Sequence, residues 1–490
     1  MPFGSLSNVL ELKHAEGFRG SSVLQQSYPL TGYTTAAAAP AAFTPLSLFA
    51  SGEQGAWYDP SNLATMFEDT AGTTPVHTPG NGTADSPVGK ILDKSGRGNH
   101  ATQSTGTARP TLSALYNIAR YTEQFDNAFW TTGGSNASIV ANQTTAPDGT
   151  STADFLKEAA TTFNHCVYNN ASIAALAANY TCSFAAKAST RNYCAVCFVD
   201  AAGNRYGAVF DLVNGTVTAT QSSGSPTGTG NSITALGNGW YRCSVTCTSG
   251  AGGVYAQIGI SNVASPVTWQ YNMPSYAGDG SSGIYIWGAD LRVSNDGVGL
   301  PAYQRVVDAS TYDSTGFPYY LYANGTQYLR CASVDMTASN KAALFTAIRV
   351  LRDTDTQLIH DFNQSVSGQF VFYYKNPTKG TTLYYGGTVA NNLESVPSGG
   401  LSSPVGKVFT ATVDISAPLG LIRQNGTQLT SSTTSVGTGN FGNGILDLFA
   451  RGSGLTIQAR MYGHIFRGTL SSSTDITNTE TWLNGKAKLY

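Results

Sequence analysis

The sequence predicts an all-β protein: a β-sandwich split by an inserted jelly-roll β-sandwich, with an extended N-terminal arm and a short C-terminal helix. Three observations predict this. Short apolar segments alternate with period two between turns rich in Gly and Asn. The texture of the chain changes near residue 113 and changes back near 316. Of the 490 residues, 41% are hydrophobic and only 11% are charged, so real cores must lie beneath a surface of Ser, Thr, Asn, Gln and Gly. The expected domains are an arm and linker at 1–50, a discontinuous sandwich built from 51–112 plus 316–490, and an inserted sandwich at 113–315.

Residues 1–50 do not read as a packed domain. Leu6, Val9, Leu10 and Leu12 make at most one amphipathic turn, and the stretch from Thr34 to Pro45 has the small-residue and Pro content of a linker. It is either an anchor that orders on a partner or a loose tail. Residues 51–112 open the first sandwich. Trp57-Tyr58-Asp59-Pro60 reads as a strand end entering a turn, residues 61–68 as a short turn or edge, and Ile91-Leu92 as a strand. A tight loop follows at Asp93-Lys-Ser-Gly-Arg-Gly-Asn99, where Gly96 and Gly98 can take positive φ. Asp93 and Asn99 could hold Ca²⁺ there, or could bond the loop's own backbone.

Residues 113–305 give strands at 136–142, 180–187, 193–199, 208–212, 237–247 and 283–292, with Asn214-Gly215 as a hairpin turn. Alternation puts Tyr180, Cys182, Phe184 and Ala186 on one face, and Tyr241, Cys243, Val245 and Cys247 on one face of the next strand. Many short strands with frequent turns mean a sandwich or jelly roll. Residues 316–490 give strands at 343–351, 370–375, 408–415, 445–449 and 457–466, and a hairpin around Asn425-Gly426. Phe409, Ala411, Val413 and Ile415 are expected to be buried. A helix is predicted from 474 to 488, capped by Ser473 or Thr474, with Asp475 in its first turn and Lys486 and Lys488 in its last. Ile476, Thr479 and Leu483 mark its buried stripe, with Trp482 beside it.

Six of the seven cysteines (Cys166, Cys182, Cys194, Cys197, Cys243 and Cys247) fall in the inserted segment, and the seventh is Cys331. Cys194-Ala-Val-Cys197 has the spacing of a CxxC, but residues three apart in a strand face opposite ways. Buried free thiols are expected. The net charge is −2 with no basic stripe, which argues against a nucleic-acid partner. Residues 1–20 hold no apolar run of signal-peptide type, and no 18-residue apolar stretch occurs. The chain is therefore expected to be made in a cytoplasm without export by the usual route, and not to enter a membrane.

Three groups of residues resemble known families. Trp57-Tyr58-Asp59-Pro60 with Asp93-Lys-Ser-Gly-Arg-Gly-Asn-His100 is similar to the opening of concanavalin A-like, laminin-G-type sandwiches of tailed-bacteriophage virion proteins. Phe345-Thr-Ala-Ile-Arg349, Gly437-Thr-Gly-Asn-Phe-Gly-Asn443, Met461-Tyr-Gly-His-Ile465 and Asn478-Thr-Glu-Thr-Trp-Leu483 resemble their closing half. Between them, Tyr121-Thr-Glu-Gln-Phe-Asp-Asn-Ala-Phe-Trp130, Ala146-Pro-Asp-Gly-Thr-Ser-Thr-Ala-Asp154, Gly237-Asn-Gly-Trp-Tyr-Arg-Cys243 and Ala277-Gly-Asp-Gly-Ser-Ser-Gly-Ile-Tyr-Ile-Trp287 resemble a carbohydrate-binding-module-like sandwich of phage fibre, spike and tail proteins. The two outer halves are usually contiguous in such families; here the other module sits between them.

Sugar rings stack on exposed aromatic faces while their hydroxyls need planar polar partners. Three candidates have that composition: Trp130 with Asn127 and Asp126, Trp269 with Tyr271, and Tyr276 with Asp279. Trp240, Tyr285 and Trp287, inside alternating strands, read as core. Cleavage of a polysaccharide needs two carboxylates across a cleft. Only eight Glu occur, with no ExDxxE, GxSxG or HExxH pattern, and the six His are scattered. No catalytic residue and no cofactor beyond the optional Ca²⁺ is expected. The resemblance implies a non-enzymatic virion-surface protein, a head or tail fibre, spike or decoration protein. Its arm would attach to a capsid or tail protein, its modules would face bacterial surface glycans, and it would be a homotrimer. A receptor-binding depolymerase is the alternative.

Overall fold

The computed structural model describes residues 43–490 apart from 81–83, 135, 176, 295–299, 353, 364–366, 376–379, 398–399 and 453. Residues 1–42, the greater part of the expected arm, lie outside the described residues. The fold is all-β with a single α-helix among the described residues, a sandwich split by a second sandwich.

Two antiparallel sheets make the split sandwich. One has eight strands. Its order runs from Thr427–Ser432 through Leu419–Gln424, Val405–Asp414, Lys341–Val350, Gln458–Arg467 and Tyr319–Asn324 to Thr111–Ala114, and Gly55–Tyr58 also pairs with Gln458–Arg467. The other has nine, from Met66–Phe67, Lys90–Ile91 and Ala101–Thr102 through Leu329–Asp335, Asn443–Leu448, Gln357–Phe362, Gln369–Lys375 and Gly380–Gly386 to Ala390–Ser395. Three registers tie the early segment to the late one: Gly55 opposite Arg467, Ala114 opposite Tyr319, and Thr102 opposite Arg330.

Alternation along Lys341–Val350 shows how the layers form. Ala342, Leu344, Ile348 and Val350 enter the core between the two sheets, while Ala343, Phe345 and Ala347 face outward. That outer face is covered by the helix Ser473–Ala487 and by the 3₁₀ turn Pro45–Phe49. Leu483 is fully buried there, over Gly463, where a Cβ would lie 2.7 Å from Leu483 Cδ2. Glycine is what lets the helix approach. Glu480 is also buried, because it accepts from Arg423 Nε at 2.9 Å and Thr410 Oγ1 at 2.7 Å. The helix is capped by Ser472, which accepts from Asp475 N at 3.1 Å, one residue before the expected caps. Thr479 and Leu483 are buried as expected, and Ile476 and Trp482 half-buried.

Leu48 and Phe49, assigned to the arm, are 2% exposed and belong to this outer layer. Burying two large apolar side chains outweighs the linker character of the preceding small residues. At the other boundary, expected between 112 and 113, the strand Thr111–Ala114 runs across it, and Leu115 is buried in the same layer.

The inserted strands form a seven-stranded and a six-stranded antiparallel sheet. The first runs Thr216–Ser223, Arg205–Asp211, Tyr193–Val199, Gly252–Ser261, Cys166–Asn169 and Trp130–Thr131, with Ile173–Ala175 also on Gly252–Ser261. The second runs Gly230–Gly237, Trp240–Ser249, Ala178–Lys187, Gly283–Val293, Ala153–Glu158 and Ala137–Thr144. Tyr180, Cys182, Phe184 and Ala186 face Cys243, Val245 and Cys247 and the other sheet in one core. The segment 237–247, read as one strand, begins with a hairpin turn at Asn238-Gly239 (φ 52° and 80°), and its strand starts at Trp240. A three-stranded piece, Trp269–Gln270, Met273–Ala277 and Thr162–Asn164, completes this module.

Candidate functional site

A cleft of about 490 Å³ opens in the inserted sandwich beside Glu123, Asp126, Asn127, Asn142, Asp154 and Arg305. Its floor is built by burial. Phe125 and Trp130 are anchored in the core, with ring centroids 5.0 Å apart and each 6.1 Å from Phe184. Between these anchors the chain makes consecutive turns, Gln124 N to Tyr121 O, Asn127 N to Gln124 O and Trp130 N to Asn127 O. Asp126 is thereby left exposed and Asn127 half-exposed at the cleft.

Asp154, 1% exposed, fastens this loop to the opposite wall. It accepts from Phe125 N and from Asn142 N, both at 2.9 Å. Asn142 has φ 57°, at a register shift between Val140 and Thr144. Burial pushes the Asp154 carboxyl up to about 6, against the pull of its two backbone donors. Burial also raises Glu123, opposed by Arg305 at 3.3 Å and by the Tyr303 hydroxyl at 3.1 Å. The cleft therefore offers a carboxylate, a carboxamide and a guanidinium at its mouth, above carboxyl groups that hold its walls. Planar groups of that kind exchange hydrogen bonds with vicinal hydroxyls.

Of the predicted residues, Asp126 and Asn127 line the cleft, but Trp130 does not present a stacking face. It is 5% exposed, and its Nε1 donates to Tyr121 O at 3.0 Å. An internal carbonyl satisfies its one polar atom, so the ring is free to be core.

Trp269 and Tyr271 lie on a hairpin against the other sheet. Tyr271 and Asn272 form its two-residue turn with φ 54° and 62°, a left-handed pair that costs non-glycine residues energy. Asn272 Nδ2 pins the turn by donating to Arg205 O at 3.3 Å and Gln221 O at 3.0 Å. Trp269 is half-buried on Met273 and Cys166, its Nε1 donating to Pro266 O at 3.0 Å. Tyr271 is 60% exposed, with the Arg205 guanidinium 5.2 Å from its ring centre, and Val267 on the adjoining loop is 97% exposed. The exposed ring of this pair is thus the tyrosine.

Tyr276 and Asp279 are brought together, but as part of a lock. The Tyr276 hydroxyl donates to Glu158 Oε2 at 2.6 Å, and Asp279 N to Glu158 Oε1 at 2.8 Å. Arg191 binds both Glu158 oxygens, at 3.0 and 2.6 Å, and reaches Asp279 at 3.3 Å. Burial and the Glu158 carboxylate hold the Tyr276 phenol well above its usual range. Asp279 also accepts from the backbone and hydroxyls of Ser281 and Ser282, which hold it low.

In the 93–99 loop, Asp93 acts as a backbone clamp. The two Asp93 oxygens already accept from Trp57 N (2.8 Å), Ser95 N (2.8 Å), Ser95 Oγ (2.7 Å) and Asn99 N (3.0 Å). Asn99 Nδ2 donates to Gly55 O at 2.7 Å. Both Asp93 oxygens and the Asn99 amide nitrogen are thus engaged within the loop and with the strand Gly55–Tyr58. Among the described residues no cluster of three metal-ligating side chains occurs.

Glu123, Asn142, Asp154 and Arg305 were not singled out as site residues. Glu123 and Asp154 stand inside the motifs 121–130 and 146–154, which is the available signal; Asn142 ends the expected strand 136–142 and Arg305 lies outside every motif, so neither carries one.

The fold and cleft define a class: an all-β protein of two sandwiches, one carrying a polar surface cleft. No protein-family model and no curated protein matches the chain. Solved structures with some likeness include the native heptameric SAP-like pentraxin from Limulus polyphemus, at 10% identity over 32% of this chain and 78% of that one, TM-score 0.28. The receptor binding domain of botulinum neurotoxin D follows at 13%, over 34% and 43%, TM-score 0.27. The Ruminococcus gnavus IT-sialidase CBM40 bound to α2,3-sialyllactose follows at 9%, over 32% and 93%, TM-score 0.25. Likenesses this distant carry no argument about activity; the fold rests on the strand pairings above.

Proposed function

We propose that this chain is a non-enzymatic structural protein of a bacteriophage virion, a head or tail fibre, spike or decoration protein, whose inserted sandwich binds glycans of the bacterial surface. The observation that carries the binding reading is the cleft, of a volume that suits a small ligand, with Asp126, Asn127 and Arg305 at its mouth. Tyr271 adds an exposed ring on the other sheet. The virion setting rests on the sequence resemblance, with residues 1–42 as the attachment to capsid or tail. A homotrimer fits the half-buried edge strand Thr216–Ser223 and the largely exposed edge strand Gly230–Gly237, which contain no charged residue and no proline to discourage pairing. Several weak sites on one assembly add up to firm attachment.

The test is retention of the purified full-length protein on a panel of bacterial surface polysaccharides. We expect retention by at least one, and at least a tenfold loss in a variant combining Asp126→Ala with Asn127→Ala. No retention on any polysaccharide sinks the binding reading. The raised carboxyls of Glu123 and Asp154 in one cleft favour a second reading, a depolymerase. Shortened polysaccharide after the same incubation would establish it. Against it stands the use of Asp154 as a backbone acceptor on both oxygens.

A further inference from the structure

Cys194 and Cys243 meet in the middle of the inserted sandwich. Cys194 is on the strand Tyr193–Val199 of the seven-stranded sheet, and Cys243 on Trp240–Ser249 of the six-stranded sheet. Their sulfurs are 3.6 Å apart, 49 residues apart in sequence, and both side chains are fully buried. Cys197, three residues on, faces the outer layer instead. The sulfurs of Cys197, Cys247 and Cys331 turn to the backbone carbonyls of Phe198, Thr248 and Ser333. Among the described residues, Cys194 and Cys243 are the one pair of cysteines whose sulfurs touch.

We propose that Cys194 and Cys243 are an oxidisable pair, convertible to a disulfide that bolts the two sheets of the inserted sandwich together. Closing 3.6 Å to a disulfide bond of about 2.05 Å asks each sulfur to move by roughly 0.8 Å, within the reach of side-chain rotation. The oxidant is a small-molecule disulfide. A thiolate of one cysteine attacks it, forming a mixed disulfide and releasing one small thiol; the second cysteine, giving up its proton, attacks the protein sulfur of that mixed disulfide and releases the other. Two protein thiols and one small disulfide become one protein disulfide and two small thiols. Burial means that exchange occurs while the sandwich folds or opens locally, so the bond forms slowly and, once formed, is shielded from reduction. A thiol-rich cytoplasm would keep the pair reduced, and an oxidising medium outside the cell would close it.

The test is equilibration of the full-length protein with oxidised glutathione, with and without urea below the unfolding transition. Remaining thiols are then alkylated, followed by intact mass and peptide mapping without reduction. We expect an intact mass equal to that of the reduced chain carrying five alkyl groups less about two hydrogens, a single cross-linked peptide joining residues 194 and 243, and a higher urea midpoint for the inserted sandwich. Cys182→Ser should leave the cross-link in place, and Cys194→Ser or Cys243→Ser should abolish it. Seven alkylated thiols at equilibrium, a cross-link between any other pair, or a lowered midpoint in the cross-linked protein would each overturn the proposal. The peptide map of the unaltered protein decides the matter even where a serine variant fails to fold.

Discussion

Acid should loosen the split sandwich, because two histidines are buried in its core without charge. His360 and His464 are fully buried, with His360 Nδ1 3.0 Å from His464 Nε2 and the rings stacked 5.1 Å apart. Phe370 and Phe466 pack on His360, and Tyr58 on His464. The outer nitrogens, His360 Nε2 and His464 Nδ1, have no hydrogen-bond partner. Burial lowers His464 to about 3 and His360 well below its usual value, the latter helped by its neighbour. One N–H serves the shared hydrogen bond, and protonating either ring would place a charge among the rings of Phe370, Phe466 and Tyr58.

The sign follows from proton linkage. In the unfolded chain each histidine titrates near 6.5, while in the fold it stays neutral. The folded-state values are depressed, so stability is complete above about pH 6.5 and is lost as the pH falls toward the folded values. At about pH 5 the loss is about 2 kcal/mol per histidine, about 4 kcal/mol for the pair. The assay is urea unfolding at several pH values between about 7.5 and 5, on the protein and on a variant carrying His360→Leu with His464→Leu. The unaltered protein should lose about 4 kcal/mol more than the variant over that range. Equal pH slopes for the two would refute the claim that these imidazoles are held neutral.

Four further outcomes follow from particular contacts. Asp154 carries the opposite sign: its folded value, raised to about 6, lies above the unfolded one, so the inserted sandwich should gain about 1 kcal/mol between about pH 7 and pH 5, a gain absent in Asp154→Asn by urea unfolding. Leu483→Ala, which empties the space above Gly463, should destabilise the split sandwich by about 2–5 kcal/mol, read from its urea midpoint. Tyr271→Gly should relieve a left-handed turn residue and raise thermal stability by up to about 1 kcal/mol, while weakening polysaccharide retention. Because Ala114 is paired with Tyr319, replacing residues 117–316 by a short turn should leave the outer sandwich with one cooperative melting transition; a transition lost in that deletion would mean that the inserted module is needed for its folding.

Much of this was legible from periodicity. The alternating burial of Phe409, Ala411 and Val413, and of Cys243, Val245 and Cys247, is what a period of two dictates when one face meets a core. Asn425-Gly426 forms its turn with φ 49° and 80°, as that dipeptide should. No strand is assigned from the sequence at Gly252–Ser261, although Val254, Ala256, Ile258 and Ile260 alternate inward; its three glycines weaken the strand signal. Trp130 departs from its expected exposure for a different reason. Burial of a tryptophan near a turn is favoured where something accepts its N–H, and the carbonyl that does so here, Tyr121 O, belongs to a non-glycine residue with a positive φ of 48°. Likewise, nothing in the order of residues says that Asp93 will find four donors, one of them 36 positions away.

The motifs behind the family resemblance turn out to be mostly backbone clamps. Asp154 ends one motif and holds the backbone of another through Phe125 N. Asp93 holds Trp57 N, joining the two motifs of the opening half. Glu158, bound by Tyr276 and Asp279 N, closes the last motif of the inserted module onto its neighbour strand. Carboxylates used this way keep the loops in place through charge-assisted hydrogen bonds, and a sequence that preserves them preserves the fold. They are poor guides to the ligand. On the proposed glycan-binding reading, ligand choice falls to side chains that the clamps position without engaging, such as Asp126 between its two aromatic anchors and Tyr271 on its pinned hairpin. Those are the positions at which proteins sharing this framework should differ when they meet different surfaces.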